Sequence, residues 1–98
     1  MKPVRWSPHA LDNLADREID RKVAEITLME PEFVVSSQLP RLVLMRRYFD
    51  QVLQQEMLLR IIVEDTSTER VVVTAYKTSQ ITKYLKGLGH ENPLRPRN

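Results

Sequence analysis

The sequence predicts an α+β domain in which two N-terminal helices pack on a four-stranded, mainly antiparallel sheet, followed by a short C-terminal helix. Apolar residues recur at the three- and four-residue spacing of helices up to residue 30, whereas β-branched and aromatic runs dominate after Pro31. Short polar segments separate these runs, which favours antiparallel pairing of neighbouring strands. Because 42% of the 98 residues are apolar, we expect one core and one domain.

The first helix should begin directly after Ser7. The Ser7 hydroxyl can accept a hydrogen bond from the free amides of the first turn, and Pro8 suits the first helical position, where its missing N–H does no harm. A narrow apolar stripe follows and stops near Asp16, its members being Ala10, Leu11, Leu14 and Ala15. The helix is therefore two to three turns long.

The second helix should begin at Asp20 and end before Pro31. Aspartate is a favourable N-cap, and Val23 and Ile26 mark an apolar face. The residue before a proline is pushed out of the helical region, so the helix ends at Met29 or one residue later. Together the two helices form an α-hairpin.

Four strands are predicted in the second half of the chain, each an apolar run rich in Val, Leu or Ile. The last two flank a short polar loop, Asp65–Glu69, and should pair as a hairpin. The predicted strands are Phe33–Ser37, Leu42–Phe49, Glu56–Glu64 and Arg70–Lys77.

A third helix should close the domain. Thr78 or Ser79 can cap it, and Gly87 can stop it in the left-handed conformation. Residues 1–88 then form the domain, and residues 89–98, which are polar and proline-rich, form a flexible tail.

The composition argues against several classes of protein. No cysteine is present, which rules out disulfide frameworks and cysteine zinc sites and fits a reducing cytoplasm. The longest apolar run, Leu42–Met45, is too short for a membrane span, and the N-terminus lacks a signal-peptide run. Neither a glycine-rich phosphate loop nor a metal-binding histidine spacing occurs, so we expect no cofactor and no metal.

The net charge of +2 does not by itself indicate a nucleic-acid partner, but bases are concentrated in the second half of the chain. Arg41 and Arg47 have the same parity on one predicted strand, so they should share a face of the sheet. They form either a basic stripe that binds substrate or a set of solvated, ion-paired side chains.

The last predicted strand ends in a polar cluster. In a regular strand Val72, Thr74 and Tyr76 share one face, and Ala75 and Lys77 share the other. Thr and Tyr are common strand residues, but their adjacent hydroxyls could also form part of a site. Buried polar groups need partners, so the cluster calls for an explanation.

His9 and Arg17 are the candidate polar residues of the first helix. Histidine exchanges protons near neutral pH, and arginine offers a fixed positive charge to a phosphate. His9 could equally be an exposed first-turn residue, and Arg17 could cap helix carbonyls.

The order of these residues is similar to that of small bacterial domains grouped with the RelE/ParE toxins and the wider barnase–EndoU–colicin–RelE nuclease superfamily. The resemblance extends from Trp6 to Leu85. Its elements are Ser7-x-His9-Ala10, Arg17-x-Ile19, Val23, Pro31-Glu32, an arginine-bearing pair of strands and the closing Val72-Val73-Thr74-Ala75-Tyr76.

The resemblance implies a metal-independent endoribonuclease, in which the ribose 2′-hydroxyl attacks the adjacent phosphate. On this hypothesis RNA is the substrate, and the site residues fall into two groups. The catalytic group is His9, Arg17, Thr74 and Tyr76, and the substrate-binding group is Arg41, Arg47 and Lys77.

Two alternatives remain open. The chain could be a non-catalytic binding module for a protein partner such as a small antitoxin, which an exposed apolar groove beside the sheet would favour. It could also be a structural domain or a homodimer in which the Val-rich strands only pack.

Overall fold

A five-stranded mixed sheet and three short helices make up residues 2–88, the part of the chain that the computed structural model describes. The strands lie side by side in the order β1-β5-β4-β3-β2. Along the chain the elements are β1 (Val4–Trp6), α1 (Pro8–Asp16), α2 (Arg21–Met29), β2 (Phe33–Ser36), β3 (Arg41–Asp50), β4 (Gln55–Asp65), β5 (Arg70–Thr78) and α3 (Ile81–Leu85).

The predicted four-stranded, mainly antiparallel sheet is wrong, because a fifth strand precedes the helices. This strand, β1, pairs in parallel with β5, with Val4 opposite Arg70 and Trp6 opposite Val72. Three residues are too few to show an alternating pattern, and their partners lie far away in the sequence. Local periodicity therefore carried no signal for β1.

The two helix starts were predicted correctly, since both depend on local chemistry. In α1 the Ala10 N–H donates to Ser7 Oγ at 3.0 Å, and in α2 the Lys22 N–H donates to Asp20 Oδ1 at 2.8 Å. The second helix ends at Met29, before the proline, as expected. These caps set where each helix begins.

Both faces of the sheet are covered, each by its own apolar cluster. Helices α1 and α2 pack on one face, which we call the helical face; its buried core includes Ala10, Leu14, Ala24, Leu28, Leu44, Leu59, Ile61 and Val63. Helix α3 packs on the other face, the α3 face, against Phe33, Val43, Met45 and Leu58. Each large apolar side chain buried here stabilises the fold by about 1.5–3 kcal/mol.

A β-bulge in β5 changes which residues share a face. Val72 lies opposite Val63, yet Thr74 lies opposite Ile62, so the register shifts by one residue at Val73. A one-residue shift moves every later side chain to the other side of the sheet. The expectation that Val72 shares a face with Thr74 and Tyr76 is therefore wrong, whereas Thr74 and Tyr76 do share a face, opposite Ile62 and Arg60.

The third helix is shorter than α1 and α2, and its N-cap residue, Gln80, makes no side-chain capping bond. The predicted left-handed stop is confirmed, since Gly87 has φ of 89°. None of the helices in residues 2–88 is long and apolar enough to cross a membrane. The tail predicted for residues 89–98 lies outside the described residues.

Candidate functional site

The second half of β5 forms an edge of the sheet that α1 covers. Pairing with β1 ends at Val72, and beyond it the β5 backbone contacts the side chains of Asn13, in α1, and of Arg17, the residue that follows α1. The Ala75 N–H donates to Asn13 Oδ1 at 3.1 Å, and the Ala75 carbonyl accepts from Arg17 Nη1 at 2.8 Å. Asn13 and Arg17 thus satisfy the backbone groups that a neighbouring strand would otherwise pair.

Asn13 also holds Thr74 in place. The Thr74 hydroxyl donates to Asn13 Oδ1 at 2.5 Å, although the two residues are 61 positions apart in the sequence. Nearby, Ser7 Oγ donates to the Val73 carbonyl at 3.3 Å. The first turn and the middle of α1 are therefore both tied to the same stretch of β5.

His9 lies on the same stripe of α1 as these contacts. It precedes Asn13 by four residues, which is one helical turn and about 6 Å of rise, and Arg17 follows Asn13 by another four. The side chain of His9 is exposed, as is most of Arg17. We call the set His9, Asn13, Arg17 and Thr74 the α1–β5 seam; Arg17 and Thr74 belong to it by their hydrogen bonds, and His9 by its helical spacing from Asn13.

The fourth predicted catalytic residue, Tyr76, does not share this position. It lies opposite Arg60 of β4 on the α3 face, where the Arg60 guanidinium carbon is 5.2 Å from the centre of its ring. Thr74 and Tyr76 both follow the bulge and share a face of β5, but Thr74 bonds to Asn13 of α1, whereas Tyr76 stacks with Arg60 of β4.

Lys77 lies in a buried ion pair, with its Nζ 2.8 Å from Asp50 Oδ2. The side chains of Lys77 and Asp50 are only 12% and 5% exposed, respectively. Lys77 also donates to the Glu18 carbonyl, and Asp50 accepts from the Tyr48 hydroxyl and from the amides that follow it. The amine predicted to bind substrate is thus engaged within the fold.

The predicted basic stripe consists of ion-paired arginines. Arg41 donates a hydrogen bond to Glu64 at 3.1 Å, and the Arg47 side chain donates two hydrogen bonds to the Glu32 carboxylate at 3.0 and 2.9 Å. The hydrogen bond that Arg47 donates to Glu32 is the main cause of the raised pKa of Arg47. Arg41 and Arg47 therefore match the second of the two alternatives, that of ion-paired side chains, and not a free basic stripe.

Sequence reasoning missed Asn13 and Asp50. Asn13 is 5% exposed and lies between Ala10 and Leu14 of the apolar stripe. A polar residue in such a stripe indicates a buried side chain that needs a hydrogen-bond partner. Asp50 ends β3, where its carboxylate accepts the turn amides of Val52 and Leu53. An aspartate at the start of a turn commonly accepts hydrogen bonds from the amides that follow it, so this contact could also be predicted from the sequence.

An exposed apolar groove of about 370 Å³ lies between β1 and α2. Val4 and Met29 line it and are 42% and 68% exposed. The guanidinium of Arg21 stacks over the Trp6 ring at 4.9 Å along the groove, and Glu25 pairs with Arg21 at 3.4 Å. The other lining residue is Leu28.

Within residues 2–88 no cluster of three or more His, Asp and Glu side chains is placed to hold a metal ion. Comparison of the chain with protein-family models, with curated proteins and with solved structures finds no match. The class of this protein is therefore defined by its fold alone, as an α+β domain with a five-stranded mixed sheet. The relationship to the RelE/ParE toxins stays a prediction.

Asn13 should matter more to stability than its short side chain suggests. We expect Asn13→Ala to lower the free energy of unfolding by about 1–3 kcal/mol, because the buried Ala75 N–H loses its acceptor. Thr74→Val is the matched control, since it removes one donor but leaves the Ala75 bond. Urea unfolding compares them; an Asn13→Ala loss no larger than that of Thr74→Val would contradict this account of the β5 edge.

Asp50 makes the stability depend on pH. The hydrogen bond from Lys77, followed by that from the Leu53 N–H, lowers the pKa of Asp50 from 3.8 to about 2. Between these values the unfolded chain binds more protons than the folded one, so stability falls as the pH falls from about 4 to about 2. Urea unfolding across this range should show a shallower fall in Asp50→Asn, and equal slopes would refute the assignment.

Proposed function

We propose that this chain is a metal-independent ribonuclease of the RelE/ParE toxin type, with its reaction centre at the α1–β5 seam. One observation carries the proposal. Asn13 ties Thr74 to the α1 stripe that holds His9 and Arg17, so residues from the two ends of the domain come together. A proton-exchanging side chain and a fixed cation beside one exposed edge suit phosphodiester chemistry.

In this reaction the ribose 2′-oxygen attacks the adjacent phosphorus. His9 accepts the 2′-hydroxyl proton while the bond from the 2′-oxygen to phosphorus forms. The bond to the 5′-oxygen breaks, and that oxygen takes a proton from water. The products are a 2′,3′-cyclic phosphate and a 5′-hydroxyl.

Arg17 stabilises the charge that develops on the phosphate oxygens. Its Nη1 is held by the Ala75 carbonyl, which fixes the guanidinium beside Thr74, and the side chain remains exposed to a ligand. Guanidinium groups bind phosphate oxygens through charge-assisted hydrogen bonds. The bond to Ala75 therefore also preorganises Arg17 for this task.

The proposal is tested with purified protein, a chelator, a mixed-sequence RNA and a DNA of matched sequence. The RNA should be cut and should carry cyclic phosphate ends, whereas the DNA, which lacks the 2′-hydroxyl, should remain intact. Cleavage of both, or a requirement for added metal, would show that a different chemistry is at work.

A second candidate function, binding of an acidic amphipathic segment of a partner protein, is favoured by the groove between β1 and α2. Apolar residues line it together with Arg21, and Lys2 and Arg70 line an adjoining pocket that shares Val4, Leu28 and Met29 with it. Co-purification with the product of the adjacent gene, compared between wild type and Met29→Glu, tests this function. Loss of binding in the variant supports it, and unchanged binding counts against it.

A further inference from the structure

Arg60 occupies an unusual place for a charged residue. It lies on β4, the central strand of the sheet, between Met45 of β3 and Tyr76 of β5. Its neighbours on the α3 face belong to an apolar cluster that includes Leu58 and Ile62. An arginine here loses much of its hydration, a cost that an apolar residue of similar size would avoid.

Two aromatic rings hold the guanidinium of Arg60. Its central carbon is 4.2 Å from the ring centre of Tyr84, on α3, and 5.2 Å from that of Tyr76. Its Nε donates to Met45 Sδ at 3.4 Å. These contacts fix the position of the cation at both sides and leave it little freedom to move.

No carboxylate within residues 2–88 neutralises Arg60. Every other arginine that stacks on an aromatic ring in this part of the chain has an acidic partner, Glu25 for Arg21 and Glu32 for Arg47. Lys83 adds a second cation, its Nζ 5.4 Å from the Tyr84 ring. Burial lowers the pKa of Arg60, as expected for a cation without a counter-ion.

Solvent reaches the polar atoms of this cluster. None of the fully buried side-chain nitrogen or oxygen atoms in the described residues lacks a hydrogen-bond partner. The guanidinium nitrogens of Arg60 that bond to nothing are therefore open to solvent. A fixed cation with accessible N–H groups and no counter-ion is arranged to bind an anion.

We propose that Arg60, clamped between Tyr76 and Tyr84, binds a phosphate group of single-stranded RNA on the α3 face. The proposal rests on the proposed function, because the phosphate belongs to the RNA that is cut at the α1–β5 seam. Tyr76 follows Thr74 by two residues along an edge strand, so an RNA strand that crosses this edge meets both sites. Lys83 adds charge for the same backbone.

The test measures binding of a 2′-O-methyl RNA oligonucleotide, which the 2′-hydroxyl reaction cannot cleave, by fluorescence anisotropy. Arg60→Met should weaken affinity at least about tenfold and reduce the salt slope of log K by about 0.7, the value for one phosphate contact on a single strand. Methionine suits the apolar surroundings, so the variant should keep its fold. Arg60→Lys keeps the charge without the planar fork and should bind with intermediate affinity.

Arg21→Met is the matched control, since Arg21 also stacks on an aromatic ring but has an acidic partner. It should bind as wild type does, and equal losses in the two variants would overturn the assignment to Arg60. If an equal concentration of inorganic phosphate displaced the oligonucleotide, the site would bind free phosphate and not the phosphate of RNA. Cleavage of unmodified RNA by wild type, measured separately, distinguishes failure of the Arg60 site from failure of the reaction centre at the seam.

Discussion

Lys77→Met is expected to lower the free energy of unfolding by roughly 3–5 kcal/mol, because it breaks a buried ion pair. The substitution removes the amine that lies 2.8 Å from Asp50 and leaves a carboxylate that is 5% exposed without its cation. The Tyr48 hydroxyl and two turn amides would still donate to Asp50, but they carry no full charge. Thermal and urea unfolding of the purified variant measure the loss.

The control for this prediction is Arg41→Met. Arg41 pairs with Glu64 at 3.1 Å, but both side chains are substantially exposed, so its removal should change stability by less than about 1 kcal/mol. Asp50→Asn combined with Lys77→Met removes the stranded charge and should recover part of the loss. If Lys77→Met is no more destabilising than Arg41→Met, the buried pair does not stabilise the junction of β3, β4 and β5.

His9→Ala is expected to lower the rate of RNA cleavage at least about 100-fold, the usual contribution of a positioned general base. His9 is exposed at the second position of α1, so its removal should leave the unfolding free energy nearly unchanged. A fall in the cleavage rate without a fall in the unfolding free energy would therefore assign the effect to the reaction and not to the fold. Single-turnover cleavage at saturating protein measures the rate without the contribution of product release.

The control for His9 is a residue of α1 on a different side of the helix. Leu11 is 40% exposed and follows His9 by two residues, which places it about 200° around the helix. Leu11→Gln should cleave RNA at the wild-type rate. An equal fall in both variants would assign the effect to the helix as a whole and not to His9.

The parts of the fold that depend on neighbouring residues were predictable from the sequence. Ser7 and Asp20 cap their helices, and Gly87 takes the left-handed conformation, because each role requires only a few adjacent atoms. The strand β1 and the bulge at Val73 were not predictable in this way. Both depend on pairing between residues far apart in the sequence, and a three-residue strand has no periodicity to detect.

The same distinction applies to the candidate site. His9, Arg17 and Thr74 were selected by residue type and order; the α1–β5 contacts include Arg17 and Thr74, and His9 lies one helical turn before Asn13. The assignment of Val72 to the face of Thr74 and Tyr76 failed because it assumed regular alternation through the bulge. Beyond the bulge the alternation is regular: Tyr76 contacts Arg60, and Lys77, on the opposite face, pairs with Asp50.

The most direct test of a reaction centre at the α1–β5 seam is a side-by-side measurement of the ends produced on one RNA by wild type and His9→Ala, in chelator. Mass spectrometry identifies the ends, and a time course gives their rate of formation. We expect 2′,3′-cyclic phosphate ends from wild type and at least about 100-fold slower formation of these ends by the variant. Intact RNA with wild type, or equal rates for the two proteins, would contradict it.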